Sequence, residues 1–341
     1  MTGRTISGVH NRALALIDRW VQKYSALVVV LVAAFLVVFI YGMVTAPNFL
    51  TVFNFKTIIR DAALVGIMAI GLTFVTLSGN FFLLSMKETA ALCIIAFATS
   101  MSLGYGFPIS FLFTMAIALL AGAMQGLLIG LGGNPIVVTL GAAGLFFGLG
   151  SWWSDNLVLS FRRPHGAEWL GTGSLFGLPN ITIAFILIAI AAEMTLRYTT
   201  FGRQVYLIGA NRAAGKATGH ENLSMAIKVC IIASVCSAFV AVAFSAQVSS
   251  AHVNYFSSEF GSSGDMTIMV IATVMVGGNS IMGGFGSTLR SSLGAIFIST
   301  VDNMMVLHGF NSGPRVLAVG LMIVFSIIVF ALLRRGSRAL E

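Results

Sequence analysis

Charge is what this sequence has least of. Only 9% of its 341 residues are Asp, Glu, Lys or Arg, while 57% are hydrophobic. A soluble domain carries roughly 25% charged residues, and it uses them to make a polar skin around its core. This chain cannot make that skin, so its apolar residues must face lipid. Cysteine is nearly as scarce. Cys93, Cys230 and Cys236 lie within apolar runs, and none has a CxxC partner; they are packing residues of a bundle. The five histidines lack metal-ligand spacing, which argues against a metal site. No Ser/His pair, HExxH or carboxylate dyad stands out, so an intramembrane enzyme has no support. No small-residue cleavage site clearly follows the first apolar run, which is expected to be a retained helix.

The charge that is present is unevenly placed. The net charge is +8, and the basic residues cluster: Arg4, Arg12, Arg19 and Lys23 before the first apolar run, Arg197, Arg203, Arg212, Lys216 and Lys228 around one central loop, and Arg334, Arg335 and Arg338 at the end. That is the lysine/arginine bias of cytoplasmic segments. It is not a basic stripe interleaved with exposed aromatics, so nucleic acid is not an expected partner. A bilayer core of ~30 Å takes about 20 apolar residues as helix. On that measure the candidate spans are 26–45, 61–79, 87–103, 109–131, 136–153, 181–197, 227–246, 266–277, 288–307 and 315–333. The expected fold is all-α: a polytopic membrane helical bundle of about ten transmembrane helices, some short or broken. It divides into a cytoplasmic segment 1–24, one transmembrane domain 25–335 with a cytoplasmic loop 198–227, and a tail 336–341. Ten spans put the N-terminus, the central loop and the C-terminus on the cytoplasmic side of a bacterial inner membrane. The segments from Asp155 to Asn180 and from Ser249 to Asp265 are then left outside, although Arg162 and Arg163 count against the first.

Glycine is abundant, at 37 residues. Gly122, Gly126 and Gly130 repeat every four residues, and so do Gly144 and Gly148. Small residues at that spacing let helix backbones approach closely in lipid, inside the bundle or between subunits. Glycine also breaks apolar stretches at Ser78-Gly79-Asn80, at Gly132-Gly133-Asn134-Pro135, and from Gly277 to Gly286. Irregular backbone at membrane depth survives where protein or a water-filled cavity satisfies it, and in transporters such breaks can line the solute path. Interhelical turns are the alternative, and the second and third breaks suit cytoplasmic turns. Phe81 and Phe82, beside the first break, could form an aromatic gate or pack in the core. In the central loop, Gly215-Lys216 suggests a phosphate loop but fails in detail. Five residues separate Gly209 from Gly215 where four are required, and Ala217 stands where a Mg²⁺-binding Ser/Thr belongs. The chain has no evident engine of its own. A short amphipathic helix over Arg212 to Thr218, bracketed by Gly209 and Gly219, is expected there instead.

The stretch Phe201-Gly202-Arg203 through Gly209-Ala210-Asn211 and Ala213-Ala214 to Gly219 resembles the cytoplasmic signature of ABC importer permeases of the ribose/xylose/galactose type. Gly71 to Val75 with Ser78-Gly79, Asn134-Pro135 with Val138 to Gly141, and Val276-Gly277-Gly278 with Ser280, Gly283 and Gly284 resemble further motifs of that family, in family order across residues 45 to 333. The resemblance implies a dimeric permease, homomeric or paired with a similar subunit. It implies separate ATPase subunits that bind ATP and Mg²⁺, a periplasmic binding protein that delivers the solute, and no cofactor in this chain. It makes the central loop the coupling element, with Gly202, Arg203, Gly209, Ala210, Asn211, Ala214 and Gly219 at the ATPase contact. The sequence departs from the family where an aspartate is usual, at Phe82, and where two acidic residues are usual, at Thr267 and Met269; a late lysine is replaced near Leu317. Such losses point to a changed solute, or to a half-subunit whose partner keeps the polar set.

Glu88, Glu193 and Asp302 fall in or near spans, where a carboxylate is costly and usually functional. Lys87 beside Glu88 suits a helix end, and Glu193 with Arg197 suits an i,i+4 ion pair. Asp302 and Asn303 either line a polar path or are hydrogen-bonded packing. With Ser78, Asn80, Phe81 and Phe82 they make up the candidate path residues. The competing function is a self-contained secondary transporter, which would need paired inverted repeats and intramembrane carboxylates. Neither is evident.

Overall fold

A computed structural model of the chain describes residues 33, 35–80, 82–161, 166–211, 222–257 and 265–338. The helices are α1 (Phe35–Thr45), α2 (Val52–Leu77), α3 (Met86–Ser102), α4 (Phe107–Gly130), α5 (Pro135–Ser154), the single turn α6 (Glu168–Gly171), α7 (Asn180–Tyr198), α8 (Thr200–Ala210), α9 (Asn222–Val248), α10 (Met266–Val276), α11 (Thr288–Leu307) and α12 (Ser312–Arg338). Every span expected from hydropathy coincides with one of these helices over its described residues. The ends differ where polar capping extends an apolar run. α2 starts nine residues before the expected 61, because Thr51 caps it by accepting from the Asn54 amide at 3.2 Å. α5 opens on Asn134-Pro135, where the Asn134 side chain accepts from the Ile136 amide at 3.0 Å. Proline at the first helical position costs no hydrogen bond.

Among the described residues, five helices are long and apolar enough by themselves to cross a membrane: α2, α4, α5, α7 and α9. They divide by position. In α2, 83% of the most apolar window is buried, against 22% in α5. So α2 and α9 form the inner layer, and α5 turns Leu140, Leu145 and Leu149 outward. Lipid-facing helices must be apolar along their length, whereas α3, α10 and α11 pack inside the bundle and need not be. That is why the latter three are shorter or more polar than a hydropathy threshold asks.

Glycine sets the contact between α4 and α9. A Cβ on Gly122, Gly126 or Gly130 would stand 2.6, 2.4 and 2.7 Å from the Cα of Ile231, Ile227 and Leu223 respectively. α4 therefore lies backbone to backbone on α9, which is the internal-packing reading of that stripe. Gly144 and Gly148 on α5 meet nothing within 4 Å, so they do not perform the same task in this chain.

One end of the bundle carries short strands. β1 (Leu159–Ser160) pairs antiparallel with β4 (Ser250–Ala251), and β2 (Ser174–Leu175) pairs with β3 (Leu178–Pro179). Phe176 and Gly177 both have positive φ in the β2–β3 turn, as a tight hairpin needs. Trp152, Trp153 and Trp169 are exposed near this end, where aromatic rings suit a membrane–water boundary. The opposite end carries α8.

Candidate functional site: the joint at the α8 end

α7 ends and α8 begins at Thr199. Its hydroxyl caps α8 by accepting from the Gly202 amide at 3.2 Å. The corner is tight: a Cβ on Gly202 would fall 2.2 Å from the Leu196 carbonyl oxygen. α8 has two faces. Gly202, Val205 and Ile208 are buried, while Arg203, Leu207 and Ala210 are exposed at i, i+4, i+7 spacing, followed by exposed Asn211. Phe201 stacks on Phe74 of α2, with ring centroids 6.1 Å apart.

Three glycine-bearing segments meet at the end of α8. Gly209 lies so close to α2 that a Cβ would sit 1.8 Å from the Leu77 carbonyl oxygen and 2.6 Å from the Gly284 nitrogen. Gly283 and Gly284 have positive φ, and their added Cβ atoms would reach the Cα of Gly79 and of Ala210 at 2.7 Å. The Gly284 amide donates to the Leu77 carbonyl at 2.9 Å, and the Tyr206 hydroxyl donates to the Gly286 carbonyl at 2.8 Å. Burial pushes the Tyr206 phenol up to about 12, so it keeps its proton throughout the physiological range. The first and third glycine breaks of the sequence are therefore halves of one joint, with α8 seated in it.

Polar side chains fix the third segment. Asn279 donates from Nδ2 to the Val274 carbonyl at 3.2 Å and to the Ser291 hydroxyl at 2.7 Å, and its Oδ1 accepts from the Ser287 amide at 2.7 Å. The Ser291 and Thr73 hydroxyls are 2.6 Å apart, which ties α11 to α2. Glu193 of α7 spans the joint. Its Oε2 accepts from the Ser287 hydroxyl (2.8 Å), the Thr288 amide (3.0 Å), the Thr288 hydroxyl (2.8 Å) and the Leu289 amide (3.4 Å). Its Oε1 accepts from Arg197 Nε at 2.5 Å. A carboxylate at the first turn of α11 meets its unpaired amides and the positive end of its dipole. The Glu193–Arg197 pair has the expected i,i+4 spacing. The link to α11 was not legible, because its partners lie 94 to 96 residues away.

The expected coupling residues divide accordingly. Gly202 and Gly209 are inner-face contacts within the chain, while Arg203, Ala210 and Asn211 are exposed. Ala214, Gly219 and the helix expected over Arg212 to Thr218 lie outside the described residues, as does Phe81. The helix that the described chain does form in this loop is α8, which was not marked from the sequence.

The candidate path residues are not one cluster. Ser78 caps α2, donating to the Val75 carbonyl at 2.8 Å, and Asn80 donates to the Ser78 hydroxyl at 3.0 Å. Phe82 is half-buried against the core. Asn303 donates to Asn54 near the other end of α2, at 2.8 Å. Asn54 and Ser78 are 24 residues apart, or ~36 Å of helix. Asp302 is engaged by Arg315, through Nε at 3.0 Å and Nη2 at 2.5 Å. Among the described residues no His, Cys, Asp and Glu group could hold a metal ion.

The family model described as branched-chain amino acid transport system / permease component matches residues 54–332. A relative named as the autoinducer 2 import system permease protein LsrC of Enterobacter sp. (strain 638) is 28% identical over 91% of this chain and 90% of its own. The LsrC protein of Yersinia enterocolitica serotype O:8 / biotype 1B is 29% identical over 76% of this chain and 70% of its own. A solved chain described as a metal-chelate type ABC transporter in an inward-facing conformation covers 90% of this chain and 97% of its own, at 13% identity and a TM-score of 0.47. The resemblance seen in the motifs holds, and a self-contained secondary transporter is not supported. The chain belongs to the family of branched-chain amino acid transport system permease components, and it is a transport subunit, the membrane-spanning permease of an ABC importer.

Proposed function

We propose that this permease forms half of the path for a small, uncharged, sugar-like solute, and that α8 is where an ATPase subunit drives it. The observation that carries this is the division of α8. Its inner face is locked into the glycine joint, and its outer stripe of Arg203, Leu207 and Ala210, continued by Asn211, is left exposed. An exposed leucine among polar neighbours suits a groove on a partner. By the sequence resemblance alone, Ala214 and Gly219 belong to the same proposed contact. The α8 end is then cytoplasmic, both termini lie on that side of the inner membrane, and the strand end meets a periplasmic binding protein. A second permease, identical or similar, completes the path. ATP and Mg²⁺ belong to the ATPase. Autoinducer 2 is the cargo favoured by the names of the relatives, one of which matches 91% of the chain.

The test is co-purification with the co-expressed ATPase subunit. Arg203→Glu combined with Leu207→Asp should reduce recovery of the ATPase at least tenfold, without moving the thermal midpoint of the permease in detergent. Undiminished recovery would reject α8 as the docking element. Uptake of labelled autoinducer 2 by the reconstituted complex then decides the cargo.

A further inference from the structure

Two helices of this bundle begin inside it. α3 and α4 run antiparallel in a register pinned by Ser85 bonding Gln125 and by Ser110 bonding Ser100 at 2.9 Å. That register sets Lys87 level with residue 123. It lies seven residues, or ~10 Å, from the Gly130 end of α4 and sixteen, or ~24 Å, from the Phe107 end. α10 has 11 residues and rises ~16 Å, about half a bilayer core. Its cap, Asp265, accepts from the Thr267 amide at 2.8 Å. At the meeting of these two starts, Lys87 pairs with Asp265 and stands 3.3 Å from Glu88.

Helix capping accounts for part of this cluster, since carboxylates favour first turns. It leaves three things unaccounted for. Two carboxylates share one ammonium, so the cluster holds more acid than base among the described residues. Glu88 Oε2 and Thr267 Oγ1 are buried atoms with no hydrogen-bond partner among the described residues. Finally, the Asp265 side chain is 30% exposed, although a carboxylate cannot cheaply face hydrocarbon. A polar path beside the cluster satisfies all three. Broken helices that start at membrane depth are where transporters hold solutes.

We propose that Lys87, Glu88, Asp265 and Thr267 form an intramembrane binding site for an uncharged solute bearing hydroxyl groups. A solute hydroxyl donates to Glu88 Oε2, and another solute oxygen accepts from the Thr267 hydroxyl. The excess carboxylate repels anions, so phosphorylated sugars are excluded. This deepens the permease reading above and rests on it.

Two arms test it, both in the assembled importer in vesicles. In the first, Glu88→Gln should lower uptake of labelled autoinducer 2 at least tenfold while the complex still co-purifies with its ATPase; wild-type uptake would overturn the site. The second needs no cargo. With Cys93, Cys230 and Cys236 changed to alanine, Thr267→Cys should react with water-soluble 2-aminoethyl methanethiosulfonate at least tenfold faster than Leu140→Cys on the lipid face. Equal slow rates would overturn the site. If the wild-type importer carries no autoinducer 2, the proposed cargo fails, and the second arm alone decides the site.

Discussion

Five donors surround the Glu193 carboxylate, four of them from Ser287, Thr288 and Leu289. Arg197 is 60% exposed at its side chain, so it regains water if the carboxylate is lost. The buried donors of α11 do not. Each donor left without an acceptor costs roughly 1–3 kcal/mol. Glu193→Ala should therefore lower the thermal midpoint in detergent by at least ~5 °C, with Glu193→Gln intermediate and Arg197→Ala nearly silent. Equal midpoints for Glu193→Ala and Arg197→Ala would mean that only the ion pair matters. The Arg197 half of this arrangement was readable, because i,i+4 neighbours share a helix face. The α11 half was not, since nothing local marks which distant helix start a carboxylate will cap. Lys87 and Asp265, 178 residues apart, are hidden for the same reason.

At the level of the helix, glycine spacing alone was ambiguous. The two four-residue repeats look alike in sequence, yet α4 uses its stripe against α9 and α5 leaves Gly144 and Gly148 in open space. Gly126→Val would drive a side chain into the Ile227 backbone, which cannot retreat as a flexible side chain does. Overpacking of this kind costs typically 1–3 kcal/mol and more where backbone must move. Gly126→Val should abolish recovery of folded permease by size-exclusion chromatography, whereas Gly144→Val should be recovered like wild type unless a second subunit covers α5. Loss of both would show that α5 is also packed in the assembly. The spans were legible because lipid demands continuous apolar length. α8 escaped because its eleven residues carry glycine, arginine and glutamine, and its helicity depends on the tertiary seat of its inner face.

At the scale of the molecule, the joint determines what a push on α8 can do. Gly209, Gly79, Gly283 and Gly284 leave no gap in which α8 could slide against α2 or the 277–287 segment. Phe201 on Phe74 and Tyr206 on Gly286 hold α8 itself, and Glu193 on α11 holds the end of α7 that leads into it. Packed interfaces shift as bodies rather than deform continuously. The ATPase stroke should therefore carry α8, the end of α2 and the start of α11 together, and the strand end should respond through α2 and α11. Phe74→Cys with Phe201→Cys, in a background free of the native cysteines, joined by a short bismaleimide, should then leave uptake within about twofold of the unlinked protein. Loss of uptake on linking, reversed when a cleavable linker is cut, would show that α8 must leave α2 during the cycle. That result would place the flexible element of the cycle at the joint itself.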